Sequence, residues 1–515
     1  MTETVVATNE ELPAFALQVR PKGRRGSLYP LQIPLAVVGA IAGVLALLFQ
    51  DWIVAVAVFS LFALVGASWR ADMLPIIPAC IAFQWISAST GYIFNLNAGH
   101  FPGGGYPERL GETLLLSMAG LAAVVAGLRL MMSLFKRTIF DKTLAPTMRY
   151  NLNRVFLLTL VVFAGSYVID ILPKQIWFGG AQIIENLLAL RFVPYFLLLV
   201  AAFERGRGFS QVVIATLWVT APQLLTGFSD FKEILFVIII AALAQWRPWV
   251  RTRQQRRQNT RILLFGALIA VMVAAFGIIW TGGVKQEWRD QIWSGNVNAS
   301  PTERIGLFFD TVARVVPKLN VGQAAETLAT RISSGTLYFT YVVERLPRVM
   351  PHENGLLIGK AITNATQPRF LFPNKVNLGG DSWLVRRYAG VAAAGDEVGA
   401  SIGLGYMAEF YIDFGMLGVI GLSIFWGAIG GGVMVLLAKV CPSREIFLAV
   451  IIGIFTQYFM AFDGSFIKLF AGLLQRTLIA AAVFALVGPR IQQWLLSGRR
   501  VLATRDLRQF GQPQT

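Results

Sequence analysis

Apolar runs of about 20 residues recur along this chain from Leu31 to Val487, each closed by a short polar or basic connector. A helix rising 1.5 Å per residue needs that length to cross about 30 Å of hydrocarbon. The pattern predicts spans near 31–49, 52–69, 73–94, 113–135, 155–172, 187–203, 209–228, 234–245, 262–280, 411–437, 446–462 and 466–487. The alternating segments of a membrane barrel, about 10 residues each, do not occur. The fold class read from this is all-α, a polytopic membrane protein with about 12 transmembrane helices.

One stretch breaks the rhythm. Residues 283–404 are neither apolar enough to span nor a short connector, and they read as one large loop between spans 9 and 10. The chain then divides into a polar tail (1–29), a bundle of spans 1–9 (30–282), the loop (283–404), spans 10–12 (405–489) and a basic tail (490–515). Within the loop, Ile305, Phe308, Phe309, Val312, Val315 and Val316 recur with helical spacing, so 302–345 is expected to pack on the bundle's outer face. Proline and glycine punctuate residues 346–404.

Composition agrees. Of 515 residues, 55% are apolar and 14% charged, against the quarter usual for soluble domains; mean hydropathy is +0.60. The net charge of +17 sits in connectors at 20–25, 70, 136–154, 205–207, 247–261, 439–444 and 490–508, not on one basic surface. That argues against nucleic acid and for contact with membrane lipid. Placing the amino terminus in the cytoplasm puts all these clusters inside, the carboxyl terminus with them and 283–404 in the periplasm. Residues 1–29 end in a basic cluster like the start of a signal peptide, but no small-residue cleavage site follows, so an uncleaved first helix is expected. The tail after Arg490 reads equally as an interfacial helix or a solvated tail. Cys80 and Cys441 fall in or beside different apolar runs, so no disulfide is inferred. The two histidines, His100 and His352, make no metal-binding spacing, and no cofactor is implied.

Charges inside spans are costly and mark candidate sites. Arg129 is close enough to a helix end to snorkel. Arg191 lies a turn inside the sixth span, and Arg476 lies mid-span, where it needs an anionic partner or ligand. Lys232, in the turn joining spans 7 and 8, can bind phosphate or pair with Asp230 or Glu233. In the loop, Arg348, His352, Arg369, Lys375, Arg386, Arg387, Tyr388 and Asp396 precede Glu409 and Tyr411. Guanidinium forks suit phosphate, Trp383, Tyr388 and Tyr411 suit sugar faces, and a carboxylate suits a hydroxyl proton. An ordinary solvated loop with incidental ion pairs fits the same composition.

The stretches Pro368-Arg369…Pro373-Asn374-Lys375, Arg386-Arg387-Tyr388-Ala389-Gly390 and Tyr406-x-x-Glu409-Phe410-Tyr411-x-x-Phe414-Gly415, in that order, resemble the O-antigen polymerase-like family. These are the oligosaccharide repeat-unit polymerases of bacterial surface polysaccharides. Ser229-x-x-Lys232 and the single late outer loop agree. The resemblance implies a metal-independent, inverting glycosyltransferase of the inner membrane that joins repeats carried on undecaprenyl diphosphate. It also implies a chain-length regulator and a flippase as partners. On this reading Arg386, Arg387, Arg369, Lys375, Arg348, Arg191, Lys232 and Arg476 would hold the diphosphate or substrate. Glu409 would be the general base, with Asp396 and His352 behind it, and Tyr388 and Tyr411 would contact substrate. The related ligases carry a fixed His pattern that Glu353 and Thr363 break here, which lowers that alternative. A transporter or lipid-linked-sugar flippase is the rival from another class. It lacks support from any internal repeat. A scaffold subunit of an export assembly is the last option.

Overall fold

The computed structural model describes residues 32–49, 51–69, 75–95, 108–135, 150–171, 181–205, 207–226, 231–245, 275–294, 301–367, 372, 381–395 and 401–496, with isolated positions between 253 and 272. Among the described residues the regular structure is helical, with no strand.

The first hairpin pairs α1 (Gln32–Phe49) with α2 (Trp52–Ser68). Asp51 makes the turn: its backbone is extended and its carboxylate accepts the Val54 N–H at 2.8 Å and the Tyr92 hydroxyl at 2.7 Å. Such a cap contributes about 1 kcal/mol. Next come α3 (Ile76–Asn95), α4 (Leu110–Leu134), α5 (Leu152–Ile171) and α6 (Ala181–Leu188). A 3-10 turn at Ala189–Arg191 joins α6 to α7 (Phe192–Arg205), followed by α8 (Phe209–Thr226) and α9 (Phe231–Gln245).

An apolar helix then runs from 275 through a π-turn at Trp280–Val284 into α10 (Lys285–Ser294). After it come α11 (Pro301–Val315), α12 (Val321–Ile332), α13 (Ser334–Arg345) and α14 (Leu356–Thr366). A single turn, α15 (Ser382–Leu384), passes into a π-turn at Val385–Ala389. The chain closes with α16 (Tyr406–Val440), α17 (Arg444–Tyr458), α18 (Phe466–Leu486) and α19 (Gly488–Leu496).

Six helices among the described residues are long and apolar enough to cross a membrane: α3, α4, α5, the α6–α7 run, α16 and α18. Shorter apolar helices are α1, α2, the start of α8 and 275–284. Large apolar side chains on these helices, such as Leu48, Leu417 and Leu486, point outward. Water would penalise that exposure, and lipid does not. The chain is a helical membrane protein.

At the centre, α4 and α16 lie along each other. A β-carbon on Gly127 would run into the Ile424 carbonyl, and one on Gly427 into the Val124 carbonyl. The two backbones therefore touch, as small residues allow between helices in lipid.

Residues 283–404 prove far more helical than a plain loop. The helices α12, α13 and α14 pack onto one end of the bundle: α12 against α3, α13 against α3, α4 and α16, α14 against α16 and α18. Phe339, Val342 and Val343 of α13 are buried there, and the Thr336 hydroxyl donates to the Ser87 carbonyl at 3.3 Å. α13 is buried round most of its circumference, but its glycine, serine and threonine positions and its charged end keep its hydropathy below that of a span.

The opposite end is also tied. The Asn151 N–H donates to the Leu495 carbonyl at 2.8 Å, and Arg154 donates to the Trp494 carbonyl at 2.6 Å while lying 5.6 Å from that ring's centre. Tyr150 and Ser443 share a hydrogen bond of 2.8 Å, and Arg205 donates to the Tyr150 carbonyl. The tail is thus a packed helix as far as Leu496.

Candidate functional site

The span predicted from Tyr411 begins instead at Tyr406 and is broken. Phe414 (φ −140°, ψ 16°) and Gly415 (φ 63°, ψ −149°) leave helical geometry. Only glycine takes the second conformation at low cost, because any β-carbon clashes there. A break in a membrane helix releases backbone groups that lipid cannot satisfy. Here the chain supplies partners: the Ile412 carbonyl accepts the Glu353 N–H at 2.9 Å, and the Asp413 carbonyl accepts the Asn354 N–H at 3.1 Å.

Asp413 completes the junction. Gly355 precedes α14 in a left-handed conformation and gives it no side-chain cap. The buried Asp413 carboxylate replaces one, accepting the N–H groups of Leu357 at 3.1 Å and Ile358 at 2.8 Å. A negative charge at a helix start is favoured by the dipole. The His352 ring lies over Gly415 and meets Tyr411 edge-on at 5.5 Å, and Tyr411 meets Phe339 at 5.9 Å.

Glu353 carries the arrangement outward. Its carboxylate accepts the Tyr388 hydroxyl at 2.7 Å and pairs with Arg387 at 3.0 Å. The Arg387 guanidinium lies 5.2 Å from the Tyr388 ring centre. Burial, then the Glu353 carboxylate, push the Tyr388 phenol above its ordinary range, so it stays a donor. Arg386 Nε donates to the Ala393 carbonyl at 2.7 Å, and both arginines reach solvent. Arg348, shortly before His352 in the chain, is exposed as well.

A cavity of about 530 Å³ opens at the break. His352, Asn354 and Asp413 form its polar wall, and Phe414, Leu417, Gly418, Gly421 and Leu422 its apolar one. Leu417, 85% exposed, places the apolar wall on an outward face of α16. The cavity therefore joins a polar wall to an apolar groove, and Glu353, between His352 and Asn354 in the chain, is paired with Arg387.

The other candidates lie elsewhere. Glu409 is 0% exposed, and one oxygen accepts the Phe466 N–H at the start of α18, at 3.1 Å. Its second oxygen is buried, and the buried Ser465 hydroxyl acts on the same carboxylate. Nearby, Lys468 of α18 pairs with Asp381 at 2.9 Å and donates to Ser401 at 3.0 Å. Tyr388 and Tyr411 turn their rings into the protein, not toward solvent.

Arg476, 8% exposed, lies 4.6 Å from the Tyr458 ring centre and donates Nε to Asn186 at 3.4 Å. The charges of Glu233, Arg191 and Glu185 act on it, and Glu233 accepts from Gln457 at 2.8 Å. Arg191 lies 5.9 Å from the Phe163 ring and 5.5 Å from that of Phe192. The structure thus places Arg191, half-buried, where its charge acts on the buried Arg476, on different elements from the break. Lys232 is in the first turn of α9 with its side chain outside the description; Arg369, Lys375 and Asp396 lie outside the described residues altogether.

Sequence reasoning missed Asp413, Glu353 and Asn354 as members of the site. A glycine one residue past a Phe, with an acid ahead of it in an apolar helix, is the signal that points to Asp413. No known protein family, curated protein or solved structure matches this chain.

Proposed function

We propose that the chain polymerises oligosaccharide repeats carried on undecaprenyl diphosphate, by inverting, metal-independent glycosyl transfer at the outer face of the bacterial inner membrane. The observation that carries this reading is the α16 break, where a cavity has one polar wall and one apolar wall open to the outward helix face. A lipid-borne donor needs that combination: hydrocarbon on one side, cations and a proton acceptor on the other. The twelve-span topology, with both termini cytoplasmic and the helices of 283–404 periplasmic, belongs to the same proposal. So do a chain-length regulator and a flippase as partners.

In this mechanism the acceptor hydroxyl oxygen attacks the anomeric carbon of the donor sugar, and the bond from that carbon to the diphosphate oxygen breaks on the opposite face. His352, on the cavity wall, takes the hydroxyl proton. Arg386 and Arg387 stabilise the charge that develops on the departing diphosphate. Glu409 serves as an anchor for α18 in this arrangement, with His352 better placed than it to reach a substrate.

One observation favours a second reading. Transporters place substrate sites at discontinuous membrane helices, and α16 is discontinuous at Phe414 and Gly415. Single His352→Ala, Arg386→Ala and Arg387→Ala variants, checked for membrane levels, separate the two. A polymerase defect accumulates single-repeat lipid-linked product on the outer side; a flippase defect traps it in the cytoplasm. Long chains of normal distribution from all three variants overturn the site.

A further inference from the structure

The helix leaving the bundle at 275–284 builds a small aromatic core of its own. Trp280 and Trp288 are buried with Phe276, Phe308, Val312 and Val315 around them, the two indoles 6.0 Å apart. On α11 the residues facing this core are Phe308, Thr311, Val312 and Val315. At about 100° per residue, Phe309, Ala313 and Val316 form the next strip round the helix, and Glu303, Asp310 and Arg314 the strip beyond it. The apolar arc is wider than the aromatic core covers. Phe309 is 63% exposed, Val316 is exposed beyond the helix end, and Val321 at the start of α12 is 64% exposed.

We infer that α11 and the first turn of α12 lie on the lipid bilayer, with Phe309, Val316 and Val321 inserted at the boundary between headgroups and acyl chains. Two observations select lipid over a protein partner. The strip is continuous with the belt of outward apolar side chains on the bundle: α11 packs against α8, whose Val213, Ile214 and Leu217 are exposed. The charged strip points away from the apolar one, with Arg314 held by Glu287 at 3.0 Å. That is the division of an interfacial amphipathic helix. Residues 285–332 carry six cations and five anions (Lys285, Arg289, Arg304, Arg314, Lys318 and Arg331 against Glu287, Asp290, Glu303, Asp310 and Glu326), so attachment rests on apolar insertion and needs no anionic lipid.

The inference stands apart from the chemistry proposed above and is tested without it. Cys80 and Cys441 are buried, so a fluorophore reacts with introduced cysteines at Phe309→Cys, Val321→Cys, Glu303→Cys or Asp310→Cys. Each labelled full-length chain is placed in phosphatidylcholine vesicles with nitroxide on the acyl chain, or with nitroxide in the water. Labels at 309 and 321 lose emission to the lipid quencher, and labels at 303 and 310 lose it to the aqueous one. Equal aqueous quenching at all four positions overturns the inference. So does disulfide cross-linking between two Phe309→Cys chains with no lipid quenching, which makes the strip a contact between copies. All four side chains are exposed, so the variants test placement and not folding.

Discussion

Glu409 and Asp413 sit one turn apart on α16, and each carboxylate accepts backbone N–H groups at the start of a different helix, α18 and α14 respectively. A single turn of one helix thereby fixes where two other segments enter the bundle. Both acids are buried, so their value lies in satisfying donors that would otherwise have none.

Removing either acceptor should loosen the fold. Glu409→Ala and Asp413→Ala are expected to lose about 1–3 kcal/mol, the cost of leaving a buried donor unpaired. Glu409→Gln and Asp413→Asn keep an oxygen in place and should lose less. Thermal unfolding of the purified chain in detergent measures the difference. A Glu409→Ala chain that melts with the parent would remove the anchoring role, and a Glu409→Gln chain that folds but makes no polymer would restore it as the base.

The α4–α16 crossing makes a sharper demand. Gly127→Val and Gly427→Val each put side-chain atoms where a carbonyl stands, and neither backbone can retreat without moving its whole helix. Overpacking of this kind costs about 1–3 kcal/mol in yielding cores and more where backbone blocks it. Neither variant should accumulate as folded protein in the membrane. Gly165→Ala on α5 is the control, since nothing stands within 4 Å of its added carbon. Its recovery by size exclusion should equal that of the parent.

Arg387 is expected to behave oppositely. Its side chain is 54% exposed, and its pair with Glu353 is worth about 1 kcal/mol or less. Arg387→Ala should therefore melt within a few degrees of the parent. Any loss of glycan chain length in that variant reports on chemistry and not on folding. A melting point as low as that of Asp413→Ala would make Arg387 a structural residue.

Arg476 offers a coupling test. Arg476→Met keeps bulk but removes a buried cation beside Glu233. The double variant with Glu233→Gln should recover part of the lost stability, with an interaction energy of about 0.5–3 kcal/mol for groups sharing a network. Strict additivity of the two losses would separate the residues.

The bilayer imposes a length on every helix that crosses it, and the hydropathy pattern therefore locates α3, α4, α5 and α18 closely. Arg476 was open to prediction for a related reason: a mid-span cation needs a neighbour, and Glu233 and Glu185 are there. The identity of those neighbours depends on which helices touch, and hydropathy says nothing of that. The break at Gly415 leaves only the Asp413-Phe414-Gly415 run as its mark, because Phe414 and Gly415 are as apolar as their surroundings and the break itself is a matter of dihedral angles. Glu353 escapes because its three relationships, to Ile412, Arg387 and Tyr388, all run to residues distant in sequence. The loop helices fall between, since their period can be read but their low hydropathy hides how deeply α13 is buried.

The tie between Arg154 and Trp494 joins positions 340 residues apart. During synthesis the amino end of α5 therefore remains without this fastening until α19 has left the ribosome. A chain that stopped short of α19 would present that end of α5 to quality-control proteases, even with its membrane helices already inserted.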